Sequence, residues 1–82
     1  MYKIVFTQGA LRDWETIGEQ VQIRIAEKLR EYAKEPLKYA RKLVTPKIGT
    51  YRFRIGAYRV IFDIGNENIV VLRIGHRRNI YR

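Results

Sequence analysis

Residues Tyr51–Tyr81, YRFRIGAYRVIFDIGNENIVVLRIGHRRNIY, alternate apolar and polar side chains, and the polar positions are mostly arginine. A period of two marks β-strands that bury one face and expose the other. The exposed face here is cationic. Its apolar underside needs a cover, which the residues before this stretch must supply.

Gly56-Ala57 fits a two-residue hairpin turn with Gly at its first central position. That turn pairs Ile55 with Tyr58, Arg54 with Arg59, Phe53 with Val60 and Arg52 with Ile61. Tyr51, Phe53, Ile55, Tyr58, Val60, Phe62 and Ile64 then share the core face. The next turn, Gly65-Asn66-Glu67-Asn68, allows two registers, and a slip of one residue sends every side chain to the other face. A three-residue loop over Asn66–Asn68, with Asn68 at positive φ, puts Val70, Leu72 and Ile74 in the core. Arg73 then faces Ile61 and Gly75 faces Arg59. The slipped register buries Arg73 and is rejected.

Upstream, Tyr2–Phe6 reads as a short strand, and Thr7 offers an N-cap oxygen. Ala10, Leu11, Trp14 and Ile17 lie on one helical face, and Gly18 is placed to end that helix. Val21, Ile25, Leu29 and Tyr32 or Ala33 define a second helix from Glu19, stopped at Pro36. Trp14 reads as packing, with ligand stacking the alternative. Leu37–Thr50 reads as a basic connection with one helical turn near Tyr39–Lys42. The fold expected is α+β: a small, twisted, antiparallel-rich sheet of about four strands, covered on one face by two N-terminal helices in the order β-α-α-β-β-β. A chain of 82 residues buries a single core, so residues 1–82 form one domain.

The formal charge is +9, and its placement is uneven. Residues 1–35 carry six basic and six acidic side chains, whereas residues 36–62 carry seven basic ones and no acid. Such a bias points to a polyanionic partner, nucleic acid or an acidic protein, with a solubilising surface as the alternative. Cysteine and serine are absent, which removes disulfides, thiolate chemistry and serine nucleophiles. A single histidine and scattered acids make no metal site, and no glycine-rich phosphate loop is present, so no cofactor is expected. The N-terminus lacks the apolar run of a signal peptide and no stretch is long enough to span a bilayer, so a cytoplasmic protein without membrane contact is expected.

On the outer face the register gathers Arg52, Arg54 and Arg59, with Arg73 on the next strand and Arg77 at the same parity. Like charges directly opposite each other, as in Arg54 and Arg59, destabilise a sheet unless an anion lies between them. Guanidinium forks bind phosphate oxygens bidentately, so this group reads as a phosphate clamp. The alternative is that each arginine lies separately over apolar sheet surface with its head in water. Lys47, Arg73, Arg78, Arg41 and Lys42 are further candidates for contact with RNA.

If the clamp holds RNA, the ribose 2′-OH can attack the adjacent phosphorus, and the protein need supply only charge stabilisation and proton transfer. The titratable groups nearby are His76, which strand parity puts on the core side or the rim, and Tyr81. Surrounding positive charge makes the Tyr81 phenolate a more accessible base. A packed terminal tyrosine is the alternative.

The strings YRFRIGAYRVIFDI and VVLRIGHRRNIY, in this order of elements, resemble the RelE/ParE toxin superfamily, and within it the RelE-type toxins of toxin–antitoxin pairs. The resemblance spans nearly the whole chain. It implies a ribosome-dependent endoribonuclease that cleaves mRNA in the ribosomal A site and is neutralised by an acidic antitoxin of the RelB type. By position it implies catalytic roles for Arg52, Arg54, Arg59, Arg77 and Tyr81. Well-known bacterial members have lysine at the first two of these positions; arginine cannot give up its proton, which shifts weight to Tyr81 as general base. Two other readings remain: a ParE-like, non-enzymatic poison of DNA gyrase, and a basic RNA- or ribosome-binding domain without turnover.

Overall fold

The computed structural model describes residues 2–44 and 48–80. Lys47 and Tyr81, both named above, lie outside the described residues. The elements are β1 (Lys3–Phe6), α1 (Gln8–Glu15), α2 (Glu19–Tyr32), α3 (Pro36–Tyr39), β2 (Arg41–Lys42), β3 (Tyr51–Ile55), β4 (Tyr58–Gly65) and β5 (Asn68–His76). The strands form a five-stranded sheet in the order β1-β5-β4-β3-β2. β1 runs parallel to β5, and every other pair is antiparallel. The α+β class holds. The sheet gains one strand over the expected four, and the helical turn of the basic connection comes earlier, at Pro36–Tyr39.

Thr7 caps α1 as its position suggests, its hydroxyl accepting from the Ala10 N–H at 3.2 Å. Gly18 does not end that helix. The chain has already closed there, with the Thr16 hydroxyl donating to the Asp13 carbonyl at 2.7 Å, and Gly18 is the extended residue that opens α2. Along α2 the buried positions are Ile25 and Leu29, one turn apart, which sets that face on the sheet. Trp14 packs edge-on against Phe6, centroids 5.6 Å apart, as expected of a core aromatic.

The core lies between the helices and one sheet face. Phe53 and Phe62 are fully buried and stack at 4.2 Å, with Tyr32 of α2 5.0 Å from Phe53. Burying side chains of this size contributes roughly 1.5–3 kcal/mol each. The β3–β4 register is the one the hairpin turn dictates, from Tyr51–Phe62 to Ile55–Tyr58, and Gly56 in that turn takes φ +60°.

The β4–β5 connection differs. Its turn has two residues, Asn66 at φ 49° and Glu67 at φ 62°, a pair of positive φ values that suits the twist of a tight hairpin. Asn68 therefore pairs with Gly65 instead of sitting in the loop, and Ile69 and Val71, rather than Val70 and Leu72, point into the core. A bulge then skips Leu72: Phe62 faces Val71, while Ile61 faces Arg73. One extra residue reverses the side-chain parity. Ile74 is thus buried, Arg73 exposed and Gly75 opposite Arg59, as the alternation required.

Candidate nucleic-acid interface

Cross-strand partners share a sheet face, so the register maps the surface away from the helices. One row runs Arg41–Arg52–Ile61–Arg73 across β2, β3, β4 and β5. The next runs Arg54–Arg59–Gly75. β2 is what brings Arg41 into the array. Lys42 stands opposite Tyr51, which stacks on Phe62 at 5.6 Å, and so belongs to the helix side.

Arg52 is half-buried, and Arg54, Arg41, Arg77 and Arg78 are exposed. Arg59 departs from the solvent-facing position that strand parity suggested, since it is only 7% exposed. Its guanidinium donates to the carbonyls of Gly56 at 3.0 Å and Tyr58 at 2.9 Å. Those partial negative charges help offset the repulsion across the Arg54–Arg59 pair. The Arg77 N–H donates to the Ala57 carbonyl at 2.8 Å, so Arg59 and Arg77 are anchored on the same two-residue turn.

Arg73 has a carboxylate beside it. Its Nε donates to Asp13 of α1 at 2.7 Å, and the same carboxylate accepts the Ile74 N–H at 2.9 Å. The hydrogen bond and charge of Asp13 raise the Arg73 pKa above its ordinary value. Arg73 thereby ties α1 to β5, while Arg52, Arg54 and Arg77 make no ion pair of this kind among the described residues. Sequence reasoning missed Asp13 because nothing local links positions sixty residues apart.

Asp13→Ala should destabilise the fold by about 1–2 kcal/mol, measured as a shift of the urea midpoint. The half-exposed ion pair accounts for little of that. The larger part comes from the Ile74 amide left without its acceptor.

Two segments border the array. Gly49 is buried against the outer face, where a Cβ on it would stand 2.5 Å from Ile61 Cγ2 and 3.0 Å from Leu72 Cδ1. Its position is held by the Thr50 N–H donating to Asp63 Oδ1 at 2.7 Å. At the other end, the turn after β5 lays Ile80 over Gly75, 3.1 Å from where a Cβ would be. His76 sits at the rim, edge-on to Tyr58 at 5.6 Å, and its Nδ1 accepts the Arg78 N–H at 3.2 Å. That acceptor role puts the neutral ring's proton on Nε2. The arrangement between these borders can bind a phosphodiester and stabilise charge on it.

Comparison with known proteins agrees with this fold. Residues 4–81 match the family described as ParE toxin of type II toxin–antitoxin system, parDE. Toxin RelG of Mycobacterium tuberculosis is 32% identical over 84 residues, covering 99% of this chain and 97% of RelG. The mRNA interferase toxin RelE of Escherichia coli is 30% identical over 74 residues, covering 89% of this chain and 78% of RelE. A chain in the crystal structure of the toxin–antitoxin complex RelBE2 of M. tuberculosis superposes with TM-score 0.82 at 30% identity, over 93% of this chain and 98% of that one. A match that runs from β1 to the last residues of the chain, with the sheet order and helical cover in place, shows that this protein belongs to the ParE toxin family, within the RelE/ParE superfamily of type II toxin–antitoxin systems.

Proposed function

We propose that this toxin is an endoribonuclease that cleaves mRNA in the A site of translating ribosomes, and that an acidic antitoxin of the RelB type neutralises it. The observation that carries the reading is the arginine array, Arg41, Arg52, Arg54 and Arg59 on one face of the sheet with Arg77 tied to the same hairpin turn. It is supported by the likeness to a named mRNA interferase and to a toxin solved in complex with its antitoxin.

In this reading the ribose 2′-OH attacks the adjacent phosphorus, leaving a cyclic phosphate on one fragment and a free 5′-OH on the other. Arg59, fixed by hairpin carbonyls, and Arg77 neutralise the phosphorane oxygens as charge develops there. Arg52 and Arg54 hold the flanking phosphates, with Lys47, Arg41 and Arg78 adding to the field. Lys42 lies on the other side of the sheet, away from the reacting phosphate, and Arg73, engaged by Asp13, serves RNA less directly. Tyr81 is the proposed base, since arginine does not deprotonate. The basic face is also where an acidic antitoxin segment would compete with RNA.

Added to a translation extract, the protein should shorten mRNA only while ribosomes are translating. Full arrest of translation with intact mRNA would reject the proposal. The family description favours a second reading, poisoning of DNA gyrase. Cleaved supercoiled plasmid in a gyrase reaction, with mRNA untouched, would select it.

A further inference from the structure

A stack of aromatic rings leads from the core to the surface at the edge of the sheet opposite β1. Phe62 stacks on Phe53, Phe53 lies against Tyr32, and Tyr32 stacks on Tyr39 with centroids 4.4 Å apart and planes 19° from parallel. Tyr39 ends the series. Its ring is oriented by Tyr32 beneath it, yet the residue is 39% exposed. The Lys38 Nζ lies over the Tyr39 ring, 5.6 Å from its centroid. α3 closes with the Ala40 N–H on the Pro36 carbonyl, and β2 begins at the next residue. Arg41 then continues the outer arginine row, while Lys42 falls on the side of the sheet that carries Tyr32. Between Pro36 and Phe62 there is no acidic residue.

We propose that Tyr39 is a stacking platform for one base of a single-stranded RNA segment, with Lys38 and Lys42 taking its phosphates, and that this segment flanks the one held on the arginine face. The inference rests on the arginine face binding RNA. An oriented, half-exposed ring suits any base, because every base offers a π face and stacking needs no sequence-specific hydrogen bond; the Lys38 ammonium now over the ring moves to a phosphate as the base takes its place. Arg41 and Lys42 occupy consecutive positions on opposite faces of a two-residue edge strand. A strand of RNA leaving the array past Arg41 therefore meets Lys42 and Tyr39 as it rounds the edge. The platform lengthens the bound RNA without altering the reaction. If Tyr39 served only to cover Tyr32, an aliphatic side chain would serve nearly as well, and that contrast decides the matter.

The test uses the full chain as wild type, Tyr39→Phe and Tyr39→Leu, with uncleavable, fluorescein-labelled 2′-O-methyl RNA as a tetranucleotide and a decanucleotide. Thermal melting confirms that each variant is folded. By anisotropy, wild type and Tyr39→Phe should bind the decanucleotide alike and Tyr39→Leu roughly tenfold more weakly. All three should bind the tetranucleotide alike. A 2-aminopurine base outside the tetranucleotide core should be quenched by wild type and Tyr39→Phe but not by Tyr39→Leu. Equal decanucleotide affinity in all three proteins, or an equal loss on both lengths in Tyr39→Leu, overturns the platform and leaves the arginine face standing. Absence of binding to either length by wild type overturns the platform and weakens the arginine-face reading as well, and the translation extract judges the latter separately.

Discussion

Alanine at Arg59 is expected to lower single-turnover cleavage of ribosome-bound mRNA by roughly a hundred- to a thousandfold and, in the same variant, to lower the melting temperature by on the order of 10 °C. The catalytic part follows from the proposed role on the phosphorane. The stability part follows from burial: Arg59 is 7% exposed and its guanidinium donates to the Gly56 and Tyr58 carbonyls, and charged hydrogen bonds of this kind contribute about 1.5–3 kcal/mol. Arg77→Ala supplies the contrast. Its side chain is exposed and its anchor is a backbone N–H that alanine retains, so cleavage should fall comparably with the melting temperature nearly unchanged. Arg59→Lys separates the two effects. A lysine keeps the charge but not the planar fork, so it should recover part of the stability and little of the cleavage. If Arg59→Ala melts with wild type, the carbonyl contacts are not holding the turn. If the folded Arg59→Lys protein cleaves at the wild-type rate, fork geometry is not used in the reaction.

This double character of Arg59 was not legible in the sequence. Alternation places a residue on a face, and it says nothing of how deep the side chain sits. The hairpin itself was legible to the residue, because Gly56 and a run of alternating side chains leave one register. β5 was legible only in its second half. Asn66 and Glu67 both adopt positive φ, which Glu takes at a cost, and the bulge at Leu72 restores the pairing of Ile61 with Arg73. Each deviation compensates the other, so Arg73 lies outside the core as the alternation requires although the loop before it is one residue shorter than expected. β2 is two residues long and cannot display a period, and it became visible only as the partner of Tyr51 and Arg52. The array on the outer face was thus readable except for the member this strand adds, Arg41. Tyr81 and Lys47 stay where the sequence put them, as proposed contributors outside the described residues.

Gly49→Val is expected to destabilise the protein by about 3 kcal/mol and Gly49→Ala by about 1–2 kcal/mol, both seen as lower urea midpoints. A first methyl at this position meets Ile61 Cγ2 at 2.5 Å and Leu72 Cδ1 at 3.0 Å, closer than packed carbons approach. Relief requires either a displaced sheet or a lifted segment. Lifting breaks the Thr50–Asp63 hydrogen bond and uncovers Ile61, which is fully buried although it lies outside the main core cluster. Ile61 sits in the row between Arg52 and Arg73, so either response also moves the floor of the arginine array, and cleavage should fall along with stability. The double variant Gly49→Ala with Ile61→Ala tests the cause. Ile61→Ala alone removes buried methyls and costs about 2–5 kcal/mol. In its background the new methyl at 49 enters vacated space, so the pair should be less destabilised than the two single effects added, by about 1 kcal/mol or more. Strict additivity would mean that the cost at 49 arises from the backbone of the segment and not from its contact with the sheet.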